Sequence, residues 1–378
     1  MGILRTTDSL RADLEEFSRL FLGCAPPAYS KPKFSNLVQE EVVNFREGSE
    51  EEEEDKLVCV TSGASFLGLA IVNRLLNCGY SVRILIENQE DLEKLEQTER
   101  FVGGGGGSTI IGNHYSNNNR RIGGATAEVV MAKVAEVESL CEAFRGCRGV
   151  FHTSAFADPA GISGYSKCMA ELEVKASQNV MDACARTASV RKCVFTSSLL
   201  ACVWRNNVLD DLPPLLDHSC WSEESVCREK KLWLALGKTM AEKAAWRVAE
   251  DHEIKLATIC PGFITGPEFC RRNPTSSIAY LKGAQEMYAE GLLATADVSK
   301  VAEAHVCVYE AMSNTGCGRY ICFDHVIQRE EDVLELAGQM GIPANRITSN
   351  APSNDSVPRF QLSNGKLSRL MSRLSRCS

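Results

Sequence analysis

The sequence has no uninterrupted apolar run approaching the ~18 residues that a membrane-crossing helix needs, so a helical membrane protein is not expected. Positive charge is in deficit. Lysine and arginine number 41 against 49 acids, a net charge of −8, and neither a nucleic acid nor an anionic membrane is the expected partner. None of the 17 cysteines forms Cys-x-x-Cys. The nearest pairs, Cys141 with Cys147 and Cys220 with Cys227, lack histidine or cysteine partners at zinc-ligand spacing, which predicts no metal. The cysteine count is odd and no secretory signal precedes it, so reduced thiols and a cytoplasmic location are expected.

What is present is ordinary globular usage, 44% apolar and 24% charged over 378 residues, enough for one large α/β domain with an appended lobe. Residues 1–55 read as a partly disordered extension ending in the acidic run from Glu50 to Asp55. Within it Leu10, Leu14, Phe17 and Phe21 share one helical face after a Ser9 cap, a surface that could dock on the domain or on a protein partner. At Lys56 the pattern changes. Residues 57–60 form an apolar strand, a small-residue turn follows, then a helix over 66–77 and a second strand over 81–86, one βαβ unit.

The Gly/Asn-rich stretch 103–124 reads as a mobile insert. Alternation then resumes with strands at 127–132, 149–153, 192–197 and 254–259 and helices at 137–144, 169–187 and 237–251. This predicts a Rossmann-type, doubly wound parallel sheet over 56–266. Residues 267–378 read as a smaller mixed α/β substrate lobe, with helices near 277–290, 298–312 and 330–340 and a strand at 319–323 returning to the main sheet.

The turn Thr61-Ser62-Gly63-Ala64-Ser65-Phe66-Leu67-Gly68 stands between the first strand and the first helix, where helix-terminal N–H groups favour a pyrophosphate. Counting back from Gly68, a Gly-x-x-Gly-x-x-Gly spacing puts Ser62 and Ser65 at glycine positions, a substitution that serine's size permits where φ stays negative. Glu87 closes the second strand. An acid there accepts bonds from the adenosine ribose hydroxyls and repels a 2′-phosphate, which favours NAD over NADP; a solvated glutamate is the plainer alternative. Arg83, inside the strand, is not obviously placed to reverse that preference.

Several segments are similar to one family: Phe66-Leu67-Gly68, Gly146-Cys147-Arg148-Gly149-Val150-Phe151-His152, Val194-Phe195-Thr196-Ser197-Ser198, Lys238-x-x-Ala241-Glu242-Lys243-Ala244-Ala245-Trp246, Pro261-Gly262, Gly266-Pro267, Asp297-Val298 and Ala304-His305. From about Lys56 onward the chain resembles the plant-type extended short-chain dehydrogenase/reductases, the cinnamoyl-CoA reductase-like and dihydroflavonol reductase-like proteins. The resemblance implies NADPH-dependent reduction of an aldehyde, ketone or thioester carbonyl on a small, phenylpropanoid-like molecule by a Ser-Tyr-Lys set. In such a set tyrosine gives a proton, lysine lowers the tyrosine pKa and serine polarises the carbonyl. Ser198 matches the serine and Lys238 the lysine, which also holds the nicotinamide ribose. Thr61, Gly63, Ser65, Phe66, Leu67, Gly68 and Pro261 match cofactor-contacting positions.

The tyrosine position, four residues before the lysine, holds Leu234, which cannot transfer a proton. Tyr29 with Lys33 repeats the spacing but encloses Pro32 ahead of the fold; Tyr165 and His218 are conceivable surrogates. Lys133 stands where relatives carry an acid near the adenine, and Glu87 where NADPH users carry arginine. The run Lys231-Leu232-Trp233-Leu234-Ala235-Leu236-Gly237-Lys238 differs from the cinnamoyl-CoA signature around the tyrosine. Three readings remain: a carbonyl reductase, a non-catalytic dinucleotide-binding protein, or an interaction protein that has lost its cofactor.

Overall fold

The computed structural model describes residues 56–93, 95, 121–122, 125–153, 165–206, 215–267, 274–314, 316–348 and 359–374. All fall within one compact unit, Glu53–Ser378. The extension 1–55 lies outside the described residues, as does the insert 103–124 apart from 121–122.

Thirteen strands are described: β1 Leu57–Val60, β2 Ser81–Ile86, β3 Arg121–Ile122, β4 Ala125–Met131, β5 Gly149–His152, β6 Lys192–Thr196, β7 Leu215–Leu216, β8 Lys255–Pro261, β9 Phe263–Thr265, β10 Ala294–Asp297, β11 Gly318–Cys322, β12 His325–Val326 and β13 Gln361–Leu362. The principal sheet has the order β11-β8-β6-β5-β1-β2-β4-β3, parallel throughout except for the short antiparallel β3. From β1 the chain proceeds outward through β2 to β4, then crosses back to β5 and proceeds the other way to β11. The order therefore reverses between β1 and β5, and the crevice beyond their carboxyl ends is where such sheets take ligands.

Central strands of a doubly covered sheet must be apolar on both faces, and Val58, Cys59 and Val60 of β1 are fully buried. One face carries helices α1 (Phe66–Asn77), α5 (Val298–Ala311) and α7 (Gly365–Leu374); the other carries α2 (Val137–Phe144), α3 (Lys167–Arg186) and α4 (Trp233–Asp251). A third apolar core, including Trp204, Leu232, Leu234, Phe263, Tyr280 and Leu336, lies in the lobe that also holds helix α6 (Glu330–Met340) and the small sheet β12-β10-β9.

Elements inside 267–378 divide between these bodies. Helices α5 and α7 and strand β11 pack into the principal sheet, because Val301, Val308 and Leu367 join the core beneath α1. The segment read as one helix over 277–290 is two, Pro274–Tyr280 and Ala284–Glu290, broken where Gly283 takes φ +96°. Helix α4 begins four residues before the point read from periodicity, which puts Leu234 and Lys238 on one continuous helix.

Candidate active site

The turn after β1 is tied to both neighbouring strands: Thr61 N–H donates to Phe151 O at 3.0 Å and Gly63 N–H to Leu85 O at 3.1 Å. Two glycines are there for close approach. A Cβ on Gly63 would lie 2.5 Å from the Ile84 side chain, and one on Gly68 would lie 2.4 Å from Ser62 O and 2.9 Å from Gly63 Cα. Ser62 has φ +47°, so the condition under which serine suits this position is not met: the turn holds the left-handed conformation that glycine takes without steric cost. Ser65, with φ −71°, caps α1 and accepts the Gly68 N–H on its Oγ at 3.0 Å. Phe66 leans toward Gly266, where a Cβ would sit 3.1 Å from the ring, and Leu67 enters the core under α1.

Glu87 stands just past β2. Its side chain is exposed, yet crowding raises its carboxyl pKa despite the Val134 N–H donated to it at 3.4 Å. Arg83 is committed elsewhere, to Glu128 and to the carbonyls of Ala143 at 2.7 Å and Arg145 at 2.8 Å. Lys133 is exposed and pairs with Glu136 at 3.0 Å.

A buried polar cluster begins at the carboxyl ends of β1 and β5. Thr61 Oγ1 meets His152 Nδ1 at 2.9 Å and accepts the Thr153 N–H at 3.1 Å. Burial first, and the Lys238 charge second, lower the His152 pKa to about 3, so the imidazole is neutral. Its Nε2 is buried without a hydrogen-bond partner among the described residues. Lys238 Nζ pairs with Glu173 Oε1 at 2.5 Å, and the Tyr165 hydroxyl donates to Glu173 Oε2. All three side chains are buried or nearly so.

On the neighbouring strand, Ser198 follows β6 and accepts the Leu200 N–H on its Oγ at 3.2 Å. The preceding Ser197 hydroxyl donates to Glu242 at 2.6 Å, one helical turn beyond Lys238 on α4. Pro261 ends β8, and its carbonyl accepts the Leu199 N–H at 2.8 Å. Leu234 is 8% exposed and belongs to the lobe's apolar core. Of the two surrogates read from the sequence, Tyr165 reaches Lys238 through one carboxylate. His218 instead adjoins Asp217, and its carbonyl accepts from Arg319.

Glu173 escaped the sequence reading. Its signal was present: on the buried face of α3, between Met169 and Ser177, a carboxylate interrupts small and apolar side chains, and an acid so placed requires a partner.

These residues fit a dinucleotide. The glycine cradle admits a close ligand backbone, the order reversal supplies the crevice, and His152 Nε2, at the carboxyl end of β5, is a buried polar atom without a partner among the described residues. One donor is contested, since Ser65 occupies the Gly68 N–H. Among the described residues no cluster of histidine, cysteine and acids could hold a metal, and no helix is long and apolar enough to cross a membrane.

A cinnamoyl-CoA reductase from Petunia hybrida is 32% identical over 324 residues, covering 83% of this chain and 86% of its own. A tetraketide alpha-pyrone reductase from Arabidopsis thaliana is 30% identical, covering 75% and 80%. Among solved structures, alfalfa vestitone reductase superposes with a TM-score of 0.56 at 24% identity over 83% of this chain and 91% of its own. A yeast methylglyoxal/isovaleraldehyde reductase complexed with NADPH gives 0.58 at 20%, over 84% and 93%. The 3-beta hydroxysteroid dehydrogenase/isomerase family model matches residues 59–324, and the chain belongs to that family.

Proposed function

We propose that this protein binds a nicotinamide dinucleotide across the carboxyl ends of β1 and β5 and reduces a carbonyl group of a small molecule. The supporting observation is that His152, bonded to Thr61 of the turn, lies within charge range of Lys238 and keeps an Nε2 without a partner among the described residues, while Ser198 follows β6, the strand next to β5. The bound dinucleotide would supply a hydride. The chain's own residues do the rest: the α1 terminus holds the pyrophosphate, Lys238 turns a cation toward the ribose, and Ser198 Oγ polarises the carbonyl oxygen. The named relatives reduce carbonyl compounds, cinnamoyl-CoA among them, and a phenylpropanoid-like carbonyl is the substrate class this likeness favours.

NADPH is the cofactor suggested by likeness, and Glu87 opposes its 2′-phosphate. Calorimetric titration with NADPH and NADH, followed by absorbance at 340 nm with isovaleraldehyde and a cinnamoyl thioester, tests the proposal. Micromolar binding with turnover is expected, and Glu87→Gln should favour NADPH selectively by about tenfold, the worth of relieving one close like-charge contact. Failure of both dinucleotides to bind overturns the reading. A second reading, a non-catalytic dinucleotide-binding protein, draws on Leu234, and it predicts binding without turnover.

A further inference from the structure

The helix face that carries positions 234 and 238 has a phenol beside it, supplied from elsewhere in the chain. Tyr165 immediately precedes Ser166, the N-cap of α3, and α3 packs along α4. Its hydroxyl rests against Gly237, between the two positions in sequence. A Cβ at 237 would lie 3.1 Å from the Tyr165 oxygen and 3.0 Å from Ala170 Cα, so the glycine lets the helices close and the phenol reach the face. Leu234 and Tyr165 share one apolar core, and the Glu173 carboxylate binds the phenol on one oxygen and the Lys238 ammonium on the other.

We propose that Tyr165 is the proton donor of this site in place of residue 234, and that Glu173 is the positioning residue that ties its hydroxyl to Lys238. The inference rests on the reductase reading above. As a hydride reaches the carbonyl carbon from a dihydronicotinamide, the C=O π pair moves onto oxygen. That oxygen takes the Tyr165 proton, whose bonding pair stays on the phenolate, and water reprotonates the phenolate. Burial first, then the Glu173 charge and hydrogen bond, push the Tyr165 pKa well above its usual value, so the donor is loaded throughout the neutral range. Among the described residues, the charged and titratable groups around this phenol–carboxylate pair are Glu173 on α3, Lys238 on α4, and His152, which senses both from β5.

The test combines NADPH titration with turnover of isovaleraldehyde and a cinnamoyl thioester in wild type, Tyr165→Phe, Leu234→Tyr, Tyr165→Phe/Leu234→Tyr and Glu173→Gln. Tyr165→Phe should keep NADPH affinity within about twofold and lower kcat by about 10²–10⁴-fold, the usual worth of a positioned acid. Returning a phenol at 234 in that background should recover part of the loss. Glu173→Gln removes the charge and the charged hydrogen bond that add to burial in raising the Tyr165 pKa, so that pKa falls and the alkaline descending limb of the kcat profile moves to lower pH than in wild type. A merely structural Glu173 would not move that limb.

Equal turnover in Tyr165→Phe overturns the inference while leaving the reductase reading intact, and so does turnover that appears only with Leu234→Tyr. Dinucleotide binding without turnover in any variant overturns both reductase reading and donor, and absence of both NADPH and NADH binding in correctly folded wild type removes the site itself. Where Glu173→Gln fails to fold, the Tyr165→Phe and rescue pair decide alone.

Discussion

On the proposed dinucleotide reading, Ser65 controls one hydrogen bond that bears on cofactor affinity. A glycine at a helix N-cap leaves the first-turn amides to a ligand; a serine caps the helix itself, and here its Oγ accepts the Gly68 N–H at 3.0 Å. Ser65→Gly costs the helix only a few tenths of a kcal/mol, because glycine is a tolerable N-cap. It should tighten NADPH binding by about fivefold, ~1 kcal/mol, the net worth of one hydrogen bond. Titration of the variant reads this directly. Weaker binding would instead show that the serine hydroxyl itself donates to the phosphate. Residue identity in this turn was legible from the sequence, whereas the left-handed Ser62 was not. Its φ is imposed by bonds to Phe151 and Leu85, one from a strand far along the chain.

Helix α4 is the element on which the proposed chemistry and the fold's stability meet. Leu234, Lys238 and Glu242 follow one another at four-residue intervals and so share a face, with the first in the lobe's core and the last under the sheet. Glu242 is fully buried and accepts from Ser197 at 2.6 Å, from Thr258 at 2.6 Å and from Arg319 Nε at 2.7 Å. Arg319 also donates to His218 O and Cys220 O and stacks 3.5 Å from the Trp221 ring centre. One carboxylate thus joins α4 to β6, β8 and β11.

Breaking such a pair leaves a buried charge without its counterion, which costs about 3–5 kcal/mol, while replacing both members costs far less. Urea denaturation should therefore show Glu242→Gln and Arg319→Met each strongly destabilised, and the double variant well short of their sum. Additive losses would mean the two charges act independently. The sequence marked Glu242 within a family motif but could not show its partner. Arg319 lies 77 positions away, brought near only by the crossover to β11.

At the scale of the molecule, the sheet was legible because each central strand is a short apolar run followed by a helix, and that alternation admits few topologies. The division at residue 266 was less so, since α5 and α7 belong to the sheet although they follow lobe elements in sequence. Apolar periodicity does not state which body a helix will cover. The same layering buries two histidines, His152 at the end of β5 and His305 on α5. His305 on α5 bonds Thr196 at 2.8 Å and Val301 O at 2.7 Å, and burial lowers its pKa to about 4; His152 is lowered to about 3.

Both folded values lie below the ordinary histidine value of 6.5, so the unfolded chain takes up protons first as pH falls. Stability is complete above pH 6.5 and is lost progressively beneath it, with each histidine contributing at most about 1.4 kcal/mol per pH unit until its folded pKa is reached. Below about pH 4 carboxylates such as Asp332 take over, since Arg329 and His325 hold that acid well below its usual range. Denaturant midpoints at pH 7, 6 and 5 should fall together with pH. In His305→Gln the slope between pH 6 and 5 should shrink, whatever the variant's absolute stability, because one fully buried proton-linked histidine is gone while His152 and the partly exposed His218 remain. An unchanged slope would place the acid sensitivity outside the buried histidines and return the question to the carboxylates.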